Sequence, residues 1–161
     1  MVAPFRIAVV VSALAALGAA AQTGDARTTA DCTPTLETIK GVMVSVSCGP
    51  AKATVTYVGK TYKFTVGRCH MIAGGYFVNI GKSAALGDKP PAYAFDVGVP
   101  SFPKPHDGTY TETVTLVWQI PGKRFQLKAP YKITLSNKLK KATFSGPVIN
   151  RPGQAKGSWT C

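Results

Sequence analysis

The chain has 161 residues, with 19 Lys and Arg against 7 Asp and Glu, a formal net charge of +12, four Cys and two His. That length suits a single domain, and the supply of Val, Thr, Tyr and Phe, with 16 Gly and 12 Pro, favours short strands joined by tight turns. Sustained helical periodicity, phosphate loops, dinucleotide fingerprints and calcium loops are all missing, and no cysteine pair stands in zinc-ligand spacing, so helical-bundle, nucleotide-binding and zinc-ribbon readings are excluded.

In chain order, Arg6 precedes an apolar run (residues 7–17, IAVVVSALAAL), and Ala19 and Ala21 then offer an A-x-A cut site. This is the order of a cleavable secretory signal over residues 1–21. At ~1.5 Å per residue, residues 7–21 reach only ~22 Å, short of a ~30 Å hydrocarbon core. No later stretch approaches membrane-spanning length, so the mature chain has no transmembrane span. Gln22 stands where a lipoprotein would carry cysteine, which points to a free rather than a lipid-anchored product. Residues 22–40 are polar and read as a linker or an arm pinned by Cys32. The domain is expected over residues 41–161.

Val42, Val44 and Val46 alternate with Met43 and Ser45, the period of a strand. Residues 53–66 (ATVTYVGKTYKFTV) read as a hairpin. A type II′ turn at Gly59 and Lys60 pairs Tyr57 with Tyr62 and Val55 with Phe64, leaving Thr54, Thr56, Thr65 and Lys63 on the other face. Strands follow at residues 76–80 and 94–99, then a proline-rich connection at residues 100–108. Residues 110–120 read as the longest strand, with Tyr110, Val114, Leu116, Trp118 and Ile120 on one face, interrupted by Glu112. Residues 125–128, 131–136, 142–145 and 157–161 complete about nine short strands. The pattern implies an all-β, antiparallel β-sandwich, with a partly closed β-barrel as the alternative. Four cysteines in an exported chain imply two disulfides, with three pairings open.

Catalytic constellations are poor, and no catalytic residue is assigned. His70 follows Cys69, and His106 sits in the proline-rich turn. Asp88 and Asp107 look like turn formers. A small hydrolase would need Asp96, His106 and Glu112 in one cleft. Charge gives a firmer signal. All acidic residues lie at or before Glu112, whereas residues 113–161 are basic throughout. Lys128, Lys132, Lys138, Lys140 and Lys141 fall near two adjacent strands, with Lys140 and Lys141 expected beside Lys132 across a hairpin. Such a face suits anionic lipid or acidic polysaccharide. Without interleaved aromatics it does not suit nucleic acid. Lysines that keep sheet edges from pairing would look the same in sequence. A protein partner would be met at residues 100–105. No cofactor is indicated.

Three stretches carry a family likeness: residues 61–82, with V-G-R-C and then A-G-G-Y-F-V-N-I-G-K; residues 87–99 (GDKPPAYAFDVGV); and the closing GSWTC. Over residues 59–161 the chain resembles the LpqH-type lipoprotein antigens of mycobacteria. The resemblance implies an exported, actinobacterial-type envelope protein with a β-rich domain and no known catalysis. It also matches that family's domain cysteines to Cys69 and Cys161, which leaves Cys32 with Cys48. The rival is Cys48–Cys69 with Cys32–Cys161, since Cys69 falls just beyond the open end of the hairpin. Loops of ~93 and ~17 residues would contribute ~4–5 and ~3 kcal/mol. Lipid-dependent anchoring does not carry over to a chain without the lipidated cysteine, and the resemblance does not account for the basic second half.

Overall fold

The computed structural model describes residues 32–84 and 92–161. The expected secretory signal, residues 22–31 and Asp88 lie outside them. Among the described residues there is no helix, and so none long and apolar enough to cross a membrane. Thirteen strands among the described residues, where the sequence suggests about nine, form two antiparallel sheets packed as a sandwich.

The strands are β1 (Thr35–Ile39), β2 (Val42–Val46), β3 (Lys52–Tyr57), β4 (Lys60–Phe64), β5 (Gly67–Ile72), β6 (Gly75–Ala84), β7 (Tyr93–Val99), β8 (Gly108–Tyr110), β9 (Thr115–Ile120), β10 (Lys123–Gln126), β11 (Lys132–Ser136), β12 (Lys141–Val148) and β13 (Arg151–Thr160). One sheet runs β4-β3-β13-β12-β11-β8. The other runs β1-β2-β6-β7-β9-β10, with β5 also paired to β6. β6 is long enough for two partners on one side. Its first half pairs with β5 and its last three residues with β2. The handover falls at Gly81, whose φ is +85° and whose missing Cβ would stand 2.3 Å from the Tyr93 carbonyl oxygen. Only glycine serves there.

Regular structure starts at Thr35, earlier than expected, because β1 hairpins onto β2 through Lys40 and Gly41. The arm is thus part of the seven-stranded sheet from residue 35. The hairpin over residues 53–66 forms with the expected faces but a different register. Val58 (φ +46°) and Gly59 (φ +70°) make the turn, so Val55 pairs with Tyr62 and Ala53 with Phe64. The shift is by two positions, and an even shift leaves the same side chains facing in. The expected long strand over residues 110–120 is broken. β8 belongs to the six-stranded sheet and β9 to the seven-stranded one, and residues 111–114 cross between them.

The core lies between the sheets. Trp118, Trp159, Phe64, Phe95, Ile80, Leu116, Ile133 and Leu135 are almost completely buried. Aromatic contacts cross the interior, from Tyr57 to Trp118 and Phe125 and from Phe95 to Phe144 and Trp159. Two disulfides close the structure. Cys32–Cys48 fastens the entry to β1 beside the end of β2, and Cys69–Cys161 joins β5 of one sheet to the end of β13 in the other. Beside the second bridge the buried Tyr76 hydroxyl donates to the Leu139 carbonyl at 2.6 Å.

Candidate functional site

Inward-facing residues of the six-stranded sheet are apolar, so period-two alternation sends every second residue outward. Registers fix what meets there. The central row crosses all six strands: Thr109, Thr134, Thr143, Ser158, Thr54 and Lys63. On one side lies the row Ser136, Lys141, Thr160 and Lys52. On the other lies Lys132, Ser145, Lys156, Thr56 and Thr61. Hydroxyls bond across strands, Thr109 to Thr134 at 3.1 Å, Thr54 to Ser158 at 3.3 Å and Thr56 to Thr61 at 3.0 Å. The three rows therefore contain only Thr, Ser and Lys.

Lys52, Lys63, Lys132, Lys141 and Lys156 are all exposed. In each outer row two lysines stand two strands apart, ~10 Å at ordinary strand spacing, and the outer rows are ~13 Å apart along the strands. The recorded ion pair among the described residues, Lys82–Glu37 at 3.0 Å, lies on the other sheet.

Of the lysines singled out in the sequence, Lys132 and Lys141 lie on this face but not side by side. Lys132 pairs opposite Ser145 and Lys141 opposite Ser136, at opposite ends of the β11–β12 hairpin. Lys138 and Lys140 belong to the turn that joins those strands. Three of its residues are left-handed (Asn137, Lys138 and Leu139), and Asp107 accepts the Lys138 and Leu139 N–H groups at 2.8 Å each. Asp107, expected to form the turn beside Gly108, instead holds a turn distant in sequence. Lys128 is exposed in the loop after β10, where its N–H donates to the Pro147 carbonyl. Lys52, Lys63 and Lys156 were missed because each comes from a different stretch of chain. The signal available was their alternation with Thr and Ser within each strand.

The outer face of the seven-stranded sheet is different. It carries an open concavity of about 510 Å³. Asp96 on β7 lines it, opposite Asn79 on β6. Asn79 Nδ2 donates to Asp96 Oδ1 at 2.9 Å, and Ser83 Oγ donates to Oδ2 at 2.6 Å. Burial pushes the Asp96 carboxyl above its ordinary range, opposed by the Ser83 and Asn79 hydrogen bonds and by the Arg124 charge. Gln119 is buried and pairs its amide with both backbone groups of Ala84, at 2.9 and 2.8 Å. This cluster was also missed, since Asp96 alone signals nothing until β6 and β7 are in register.

Neither His106 nor Glu112 lines the concavity that holds Asp96, so the three residues a small hydrolase would need are not gathered there. His106 is a turn residue, its Nδ1 3.0 Å from the Lys104 carbonyl and its ring against Tyr110. Burial and then the Arg68 charge lower the His70 pKa, and its buried Nδ1 has no partner. Among the described residues no three His, Cys, Asp or Glu side chains converge as metal ligands. No family model, no curated protein and no solved structure matches the chain.

Proposed function

We propose that the chain is a non-catalytic, secreted binding domain that holds anionic material of the cell envelope, acidic polysaccharide or anionic lipid headgroups, against the outer face of its six-stranded sheet. The observation that carries the reading is the three-row surface of Thr, Ser and five lysines without a carboxylate. Lysine amines pair with anionic groups, and the hydroxyls between them donate to the oxygens of the same groups. With a Debye length of ~10 Å at 0.1 M salt and ~3 Å at 1 M, lysines ~10 Å apart act jointly at low salt and singly at high salt. Two disulfides and an N-terminal leader pattern support an extracytoplasmic setting. The likeness to LpqH-type antigens is part of this reading. It rests on the quoted motifs alone.

The test is co-sedimentation of the disulfide-bonded protein with isolated envelope, anionic liposomes and acidic polysaccharide, at low and high salt. Expected are salt-sensitive association and its loss in a Lys132→Glu, Lys141→Glu, Lys156→Glu triple variant. The substrate that sediments the protein identifies the source of the anion. No association at low salt, or association unchanged in the variant, overturns the reading. A second reading has its own observation, because Phe102 in the proline-rich loop is 90% exposed. If Phe102→Ser abolishes envelope association and the triple variant does not, that loop meets a protein partner instead.

A further inference from the structure

The concavity on the seven-stranded sheet has a chemistry of its own, independent of the lysine face. Asn79 donates to one Asp96 oxygen and Ser83 to the other, and a carboxylate oxygen can accept more than one hydrogen bond, including one from a ligand hydroxyl. Arg124 also lines the concavity and offsets the Asp96 charge. A carboxylate and a guanidinium together leave little net charge to select a free anion or a free cation, and they suit a neutral ligand that both donates and accepts hydrogen bonds. One end of the concavity is apolar. Phe77 pairs opposite Gly98, and its ring atoms lie 3.0 to 3.8 Å from where Cβ atoms on Gly75 and Gly98 would stand. The ring therefore rests low over two glycines, as a shelf, with His70 stacked beside it at 6.0 Å. A volume of about 510 Å³ is within the range of small-ligand sites.

From this we infer that the concavity binds a neutral sugar ring, free or at the end of a neutral oligosaccharide. The ring's hydroxyls meet Asp96, Asn79 and Arg124, and its C–H face rests on Phe77. Polyol hydroxyls match a mixed set of donors and acceptors, whereas an apolar ligand would displace water from the half-buried Asp96 carboxylate without replacing its hydrogen bonds.

The experiment is an amide chemical-shift titration of the full, disulfide-bonded protein with glucose, galactose, mannose, maltose and cellobiose, with glucuronate as the charged comparison. Expected are saturable shifts for at least one neutral sugar, centred on Phe77, Asn79, Ser83, Gly98 and Arg124. Two variants locate the site. Asp96→Asn keeps the shape and removes the charge. Gly98→Leu fills the concavity from its floor, where a Cβ meets only ordinary contacts, 3.6 Å from the Phe77 ring. Each should weaken binding at least tenfold, and the lysine-face triple variant should leave it unchanged. The inference is overturned if no neutral sugar gives saturable shifts, if binding survives both variants, or if glucuronate binds these amides more tightly than glucose.

Discussion

Replacing Tyr131 with Phe isolates the residue that holds the crossing between sheets. Tyr131 is 6% exposed and Val114 4%. The Tyr131 hydroxyl accepts the Val114 N–H and donates to the Val114 carbonyl. The Tyr131 N–H also donates to the Thr111 carbonyl at 3.1 Å, so one residue grips both ends of the crossing at residues 111–114. Phe keeps the ring and deletes one oxygen, which leaves a buried N–H and a buried C=O without partners. At ~1–3 kcal/mol for each of the two orphaned groups, the loss should be about 2–6 kcal/mol. For a domain of this size that lowers the melting temperature by about 6–24 °C. Guanidinium unfolding followed through the buried Trp118 and Trp159 measures it, with the midpoint shifted and the slope unchanged. A loss under about 0.5 kcal/mol would mean that Val114 finds other partners, and that the crossing is not held by Tyr131.

Asp96 gives a stability prediction with a sign. Its carboxyl pKa is raised above the ordinary 3.8 in the fold, so the native state holds that proton more tightly than the unfolded chain. Its contribution is fully present below pH 3.8 and is lost as pH rises through the raised native value. Unfolding from pH 3 to 8 should therefore show Asp96→Asn gaining on wild type as pH rises, and a difference that is flat or falling would contradict the assignment. The disulfides, at sequence separations of 92 and 16, should rank by loop length. Removing Cys69–Cys161 as a double Ala variant should cost ~4–5 kcal/mol, and removing Cys32–Cys48 ~3 kcal/mol. The reverse order in denaturant melts would contradict the loop-closure account.

Alternation made most strands legible, since Val55, Phe95, Ile133 and Phe144 all face the core as period two requires. What failed was long-range or stereochemical. Glycine at the first position of a two-residue turn favoured Gly59 with Lys60, but the chain turns at Val58 and Gly59. A valine with positive φ is costly locally and is held by the pairing on either side. In residues 110–120 the apolar period keeps one phase throughout, and the one sign of a crossing is its interruption by Glu112 at an apparent core position. It is exposed, in the segment that leaves one sheet for the other. β1 lies in the stretch that reads as a linker or pinned arm because an edge strand with three of its five residues exposed has no apolar stripe to betray it. The concavity was invisible because its parts, Asn79, Ser83, Asp96 and Arg124, come together only through β6, β7, β9 and β10.

The lysine rows bear on whether their charge merely protects sheet edges. Edge protection places lysine on strands whose backbone groups are unpaired. In the six-stranded sheet those edges are β4 and β8, which accounts for Lys63 and for Lys60 beside it. It does not account for Lys52, Lys141 or Lys156, which sit on β3, β12 and β13 with a paired strand on each side. Solubility alone does not require one sign either, since mixed charges serve it as well. The same chain keeps a carboxylate on the opposite outer face, where Asp96 is held by Asn79 and Ser83 and faced by Arg124. The two outer faces of one sandwich are thus chemically sorted, one cationic and hydroxyl-bearing, the other concave and charge-balanced. That sorting is why a charge reversal on the first face and a filled floor on the second should each disturb one binding event and leave the other intact.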